Sequence, residues 1–298
     1  MKHAFLITTY CHFDLLRNLI ESLNHSDSMF YIHIDKKYDS VAQASSDIEK
    51  IKKLPNVMIL SHNIKVNWGA FSHSQAIILL LKEAIKNPEI EYFHTISAQD
   101  FPIFSISKIL SFFEESKKQN LEYMSQRPIP APTKKRHQVR DWFLYYHFND
   151  HLNPKIKLQW QIIRMIVLVQ EILHIKRHFP KGFEQLYRGH IWWSLSRNAI
   201  LYLLEYINDN PSFVNRFKHT HCSEEIIFQT IIMHSPYAKN VVTNNLRYVE
   251  MQGSSPKILK SEDYDMLINS DKLFARKIAE ESMPLVEMLK KNIEKRIY

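Results

Sequence analysis

Through the first hundred residues, short apolar runs alternate with amphipathic stretches. Ala4–Ile7, Met29–Ile34, Val57–Leu60 and Tyr92–Ile96 read as strands. Between them, Asp14–Leu23 sets Leu15, Leu16, Leu19, Ile20 and Leu23 at helical spacing, and Ser74–Lys86 repeats the pattern around Ile77, Leu80, Leu81, Ala84 and Ile85. Strands separated by helices predict parallel pairing through crossovers, hence an α/β fold with a central, mostly parallel sheet flanked by helices. Further on, Leu158–Ile175 reads as a long amphipathic helix. A strand is expected around His190–Leu195, with helices at Asn198–Ile207 and Glu224–Met233. Three prolines interrupt Arg127–Thr133, which is therefore read as a loop, because proline fixes φ and removes ladder donors. The whole chain, 1–298, is read as one domain carrying a Pro-rich, basic loop and a helical insertion at about 127–180.

In an open parallel sheet, ligands are met at the carboxyl ends of the strands. Three such ends are polar here: Thr8-Thr9-Tyr10, His33-Ile34-Asp35 and Ser97-Ala98-Gln99-Asp100. They read either as the floor of one cleft or as ordinary caps for the helices that follow. Val66–Ser72 (VNWGAFS) puts Trp68 beside a rare glycine, facing a sugar or base, or packed in the core. In Ser223–Thr230, Ser223 and the acids Glu224 and Glu225 describe a well-capped helix start, or a general base presented to an acceptor hydroxyl. Arg247 and Lys277 are surface charges taken singly, and together a counter-charge for a diphosphate.

Composition narrows these options. With 45% hydrophobic residues in 298, the chain has enough apolar material for a sizeable core, which excludes disorder. The chain has 4 glycines, none in a GxGxxG or GxxxxGK arrangement, so a nucleotide would be held by side chains rather than by a glycine-rich phosphate cradle. Net charge is +8, but the basic residues are scattered apart from Lys134–Arg140, which weighs against nucleic acid. Two cysteines and an N-terminal run (MKHAFLITTY) that reads as a strand rather than a signal peptide give the expectation of a cytoplasmic protein with reduced thiols. The polar interruptions in Leu158–Ile175 exclude a single membrane span, while the basic loop and this helix either dock peripherally on anionic lipid or pack ordinarily. Asp263-Tyr264-Asp265 reads as a solvated helix start, not a metal site.

Taken in order, His33–Lys36 (HIDK), Val66–Ser72, Ile96–Ile103 (ISAQDFPI), Gly189–Arg197 (GHIWWSLSR), Ser223–Thr230, Leu246–Glu250 (LRYVE) and Ser270–Lys277 (SDKLFARK) resemble the core-2/I-branching glycosyltransferase family, which includes the peptide xylosyltransferases. The resemblance implies a GT-A-like fold, a UDP-sugar donor, inversion at the anomeric carbon and no metal cofactor. It implies Glu225 as catalytic base, Arg247 and Lys277 on the donor diphosphate, and Asp35 with Thr9 near the nucleotide. Trp68, Asp100, Trp193 and Glu224 would line the donor and acceptor pocket. Glu224 replaces an Asp common in the family, and His190 replaces a small residue. The many cysteines and the membrane anchor of animal members have no counterpart here, which implies a bacterial-type relative whose acceptor is a soluble or lipid-linked glycan, with N-acetylglucosamine the first guess for the sugar. The opposed readings are a metal-dependent GT-A transferase, sensitive to EDTA, and a basic nucleic-acid or membrane-surface binding protein with no sugar-nucleotide chemistry.

Overall fold

The computed structural model describes residues 1–130, 138–178, 182–183, 185–253 and 255–295. The strands are β1 (Lys2–Thr9), β2 (Ser28–Ile34), β3 (Val57–Ile59), β4 (Ile90–Ser97), β5 (Asp100–Pro102), β6 (Glu122–Met124), β7 (Arg127–Pro128), β8 (Tyr187–Arg188), β9 (Trp193–Ser196), β10 (Val241–Val242), β11 (Arg247–Val249), β12 (Met251–Gln252), β13 (Ser255–Pro256) and β14 (Phe274–Arg276). Seven form the main sheet in the order β10-β6-β9-β4-β1-β2-β3. Within it, β1 pairs in parallel with both β2 and β4, and only β9 runs against its neighbours, β4 and β6. A second sheet has the order β11-β14-β5. The sheet is mostly parallel and flanked by helices, as the alternation of the sequence predicts.

Both faces of the sheet are buried, which is why its strands read as near-continuous apolar runs. Phe5, Ile7, Phe30, Ile32 and Ile96 point into one core with the helix Phe13–Leu23 and with Leu285, Val286 and Leu289 of the C-terminal helix. Ala4, Leu6, Tyr31 and Phe93, one residue out of phase, point into the other with the helices Phe71–Ala84 and Arg197–Asp209. Ser105 and Ser196 cap the helices Ile106–Lys118 and Arg197–Asp209 by accepting from the N–H three residues on.

Two expectations need correction here. Arg127–Pro128 is not simply loop: it pairs antiparallel with Tyr187–Arg188. A two-residue ribbon at a sheet edge accommodates a proline because little ladder is needed there. The helix expected from Glu224 begins later, at Ile227, and the acids occupy a separate 3-10 turn, Ser223–Glu225. Residues 131–137, which carry most of the basic cluster, lie outside the described residues.

Candidate active site

Residues at the carboxyl ends of β1 and β2 are held by short local bonds. Thr9 is buried and its hydroxyl donates to the Cys11 carbonyl at 3.0 Å. Asp35 caps the turn after β2, its Oδ1 accepting from the N–H groups of Lys37 at 3.0 Å and Val66 at 3.3 Å. Lys37 Nζ lies 3.3 Å from Asp35 Oδ2 and also donates to the Val66 carbonyl. Asp35 is thus both a cap and the anchor of the loop that presents Trp68. That indole is half exposed, edge-on to His221 with ring centres 5.4 Å apart.

Gly69 follows Trp68 at φ +64°, and a Cβ there would lie 2.8 Å from His221 Cε1. Its carbonyl accepts from the Cys222 N–H at 2.9 Å and from Asn149 Nδ2 at 2.7 Å. The turn bearing the two glutamates is therefore tied to the Trp68 loop. Cys222 itself is left-handed at φ 49°, an unusual backbone for a residue with a side chain and one that collects at functional turns.

The two glutamates have different surroundings. Glu224 is buried; its Oε1 lies 3.5 Å from His73 Nδ1, and Oε2 is buried without a partner among the described residues. His73 Nε2 in turn lies 3.4 Å from the Thr8 hydroxyl, at the end of β1. Glu225 is partly exposed and accepts from Arg188 Nη2 at 3.3 Å. Burial, with the neighbouring Glu224 adding to it, pushes the Glu225 carboxyl up to about 7, against the opposing pull of Arg188, Arg127 and His73. The Arg188 guanidinium lies over the Trp142 ring, 5.3 Å from its centre. Next to it, Gly189 donates its N–H to the Glu225 carbonyl at 2.8 Å, and a Cβ on Gly189 would fall 1.7 Å from the Ser125 carbonyl oxygen.

Three expected site residues sit elsewhere than the sequence reading put them. Asp100 is buried: its Oδ2 accepts from the N–H and the hydroxyl of Ser97, both at 2.7 Å, and from Arg276 Nη1 at 3.1 Å. It closes a turn and fixes Arg276 instead of lining a pocket. Trp193 is fully buried against Phe228, because the alternation of β9 turns it into the core. Its neighbour Trp192 meets the Arg276 guanidinium, 4.4 Å from the ring centre. Arg247 is buried over the Phe274 ring and donates to the carbonyls of Thr95 at 2.7 Å and Asn245 at 2.8 Å. It is a buried charge held against the Thr95 carbonyl of β4, its pKa brought down to about 10 by desolvation. Lys277 is partly buried, and desolvation together with Arg276 and Lys155 lowers its pKa.

Arg188, His73, Trp142 and Arg276 were not anticipated. Arg276 had a signal, since it adjoins Lys277 in the SDKLFARK run; the others come from distant segments. Asp263 is engaged by Lys257 Nζ at 2.7 Å and the Lys260 N–H at 2.8 Å. Among the described residues, no group of three or more His, Cys, Asp or Glu side chains is placed to hold a metal ion.

Fold and site together define an α/β protein with a titratable carboxylate on an isolated turn and basic residues among the segments that follow the sheet. Residues 3–268 match the family model of the Core-2/I-Branching enzyme, and the chain belongs to that family. It is 22% identical over 283 residues to xylosyltransferase 2 of Rattus norvegicus, covering 88% of this chain and 30% of that protein. It is likewise 22% identical over 237 residues to a xylosyltransferase of Ciona intestinalis, covering 78% and 25%. The chain thus spans about a third or less of the length of these relatives. Among solved structures it aligns with the apo form of mouse xyloside xylosyltransferase 1 at a TM-score of 0.41 and 10% identity, over 94% of this chain and 98% of that one.

Proposed function

We propose that the protein is an inverting glycosyltransferase of GT-A-like fold that moves a sugar from a UDP-sugar to an acceptor hydroxyl without a metal cofactor. The observation that carries this reading is Glu225: a partly exposed carboxyl, raised to about 7, on a turn of its own beside Arg188. A base with a pKa near the working pH suits removal of a hydroxyl proton. As the acceptor oxygen bonds to the anomeric carbon, its proton passes to Glu225. The bond from that carbon to the phosphate oxygen breaks on the opposite face, so UDP leaves and the configuration inverts. Negative charge grows on the departing diphosphate, where Lys277 and Arg276 supply direct counter-charge and Arg247 acts from its buried place against β4. Asp35 and Thr9 shape the nucleotide end, and Trp68 and Glu224 the acceptor end.

The acceptor is a glycan, soluble or lipid-linked, in surface polysaccharide synthesis. N-acetylglucosamine is the first donor sugar to try, and the names of the relatives put xylose beside it. Thermal-shift binding against UDP-, GDP- and CMP-sugars with excess EDTA tests the reading. Stabilisation by one UDP-sugar that survives EDTA and weakens in Lys277→Ala is expected. Stabilisation that EDTA abolishes would establish the metal-dependent alternative, and no shift with any nucleotide would overturn the transferase reading.

A further inference from the structure

The helix Lys157–Ile172 is unusual for its outward face. Its inner side is seated by Ile163 and Gln170, and Gln170 exchanges hydrogen bonds with the backbone of Tyr146. The opposite side is apolar except for Gln161 and is uncovered among the described residues: Leu158, Met165, Leu168, Val169 and Ile172 are all exposed, Leu158 and Ile172 at 66%. At 100° per residue these five fall on one stripe directly opposite the seated side. Leu173 and Ile175 extend the apolar surface past the helix end, also exposed.

Charge borders the stripe. Lys155, Lys157, Arg164 and Lys176 are exposed around it, and the helix itself carries one acid, Glu171. An apolar stripe edged by basic side chains matches the interface of an anionic bilayer, where aliphatic groups enter the acyl boundary and lysine or arginine heads reach the lipid phosphates. Among the described residues no helix is long and apolar enough to cross a membrane, so the segment would lie in the interface rather than span it.

The same helix walls a cavity of about 780 Å³ whose other side includes Trp142 and His221. Trp142 carries Arg188, and His221 meets Trp68. Met165 and Leu168 of the outward stripe also line this cavity, so the stripe runs onto its rim and is linked through Trp142 and Arg188 to Glu225. We infer that Lys157–Ile172 is a peripheral membrane-docking helix that seats the protein on an anionic phospholipid surface with the Glu225 site held close above it. The inference does not depend on which sugar is transferred or on the transfer reaction itself.

Flotation of the full chain with phosphatidylcholine vesicles, and with vesicles containing about one third phosphatidylglycerol, tests it. Co-flotation with the anionic vesicles, weakened by salt, is expected. Leu168→Asp with Ile172→Asp should reduce that association at least tenfold while the melting temperature and elution volume stay unchanged. Lys157→Gln with Arg164→Gln, which leaves the apolar stripe intact, should weaken binding to the anionic vesicles alone; this arm holds should the aspartate variant misfold. No association of the native protein with either vesicle would overturn the inference. So would a dimer that the aspartate variant converts to monomer, because the stripe would then be an interface between copies.

Discussion

A carboxyl whose pKa is raised by burial and held in check by nearby cations, Arg188 first among them, gives Glu225 a pH signature. On the proposed mechanism, kcat/KM should rise about tenfold per pH unit below 7 and level off above it, as the carboxylate forms. Arg188→Ala removes a cation that favours ionisation, so the limb should move to higher pH; an unmoved limb would show that another group is the base. Glu225→Gln should lower turnover by roughly 100- to 10,000-fold while leaving nucleotide binding largely intact.

Glu122 gives a second residue-scale test, of stability rather than activity. It is buried, accepts from the Ser196 N–H and hydroxyl, and is raised from an ordinary 4.5 to about 7 by desolvation. A raised carboxyl binds more protons folded than unfolded, so its stabilising contribution is full below about pH 4.5 and is lost as pH rises to 7, on the order of 3 kcal/mol. The signed change in melting temperature from pH 5 to pH 8 should therefore be more positive in Glu122→Gln than in the native protein. The buried histidines, whose lowered pKa values act in the opposite direction, are common to both and cancel in the comparison.

Turns and caps decide what the site looks like at the level of elements. Gly69→Ala should cost about 1–3 kcal/mol, because it combines a left-handed backbone with a contact on His221. It should also reduce activity, since the Gly69 carbonyl anchors the turn that carries the glutamates; a chemical denaturation curve and a turnover assay on the same sample read both. Elements were legible wherever local chemistry alone set them. The helices Phe13–Leu23 and Phe71–Ala84 follow the spacing of their aliphatic residues, and β1, β2 and β4 follow their apolar runs. Ser223 misled because its hydroxyl bonds Ser74, 149 residues away in the chain, so it caps nothing local. Adjacent tryptophans cannot be told apart until register is known, and β9 turns Trp193 inward. Arg188 was invisible for a related reason: it meets Glu225 from 37 residues away, out of a ribbon that the three prolines of Arg127–Thr133 argued against. Glu225, Lys277 and Trp68 were each put forward by residue chemistry as one of two readings, and the ordered motifs of the family resemblance favoured the functional one.

For the molecule as a whole, the antiparallel strand β9 sets a timetable. It is the partner of β4 on the side away from β1, yet β4 ends at Ser97 and β9 begins at Trp193. At roughly 5–20 residues per second, a ribosome leaves the edge of β4 unpaired for roughly 5–20 seconds after making it. That edge carries Tyr92, Phe93 and Ile96, the kind of open apolar strand that recruits other chains. A chain stopped just before residue 190 should be retained by chaperones or precipitate, while one extended past Ser196 should gain solubility abruptly, which a series of C-terminal truncations would resolve. Synthesis, and not only sequence, thus has to guard the middle of this sheet until its reversed strand arrives.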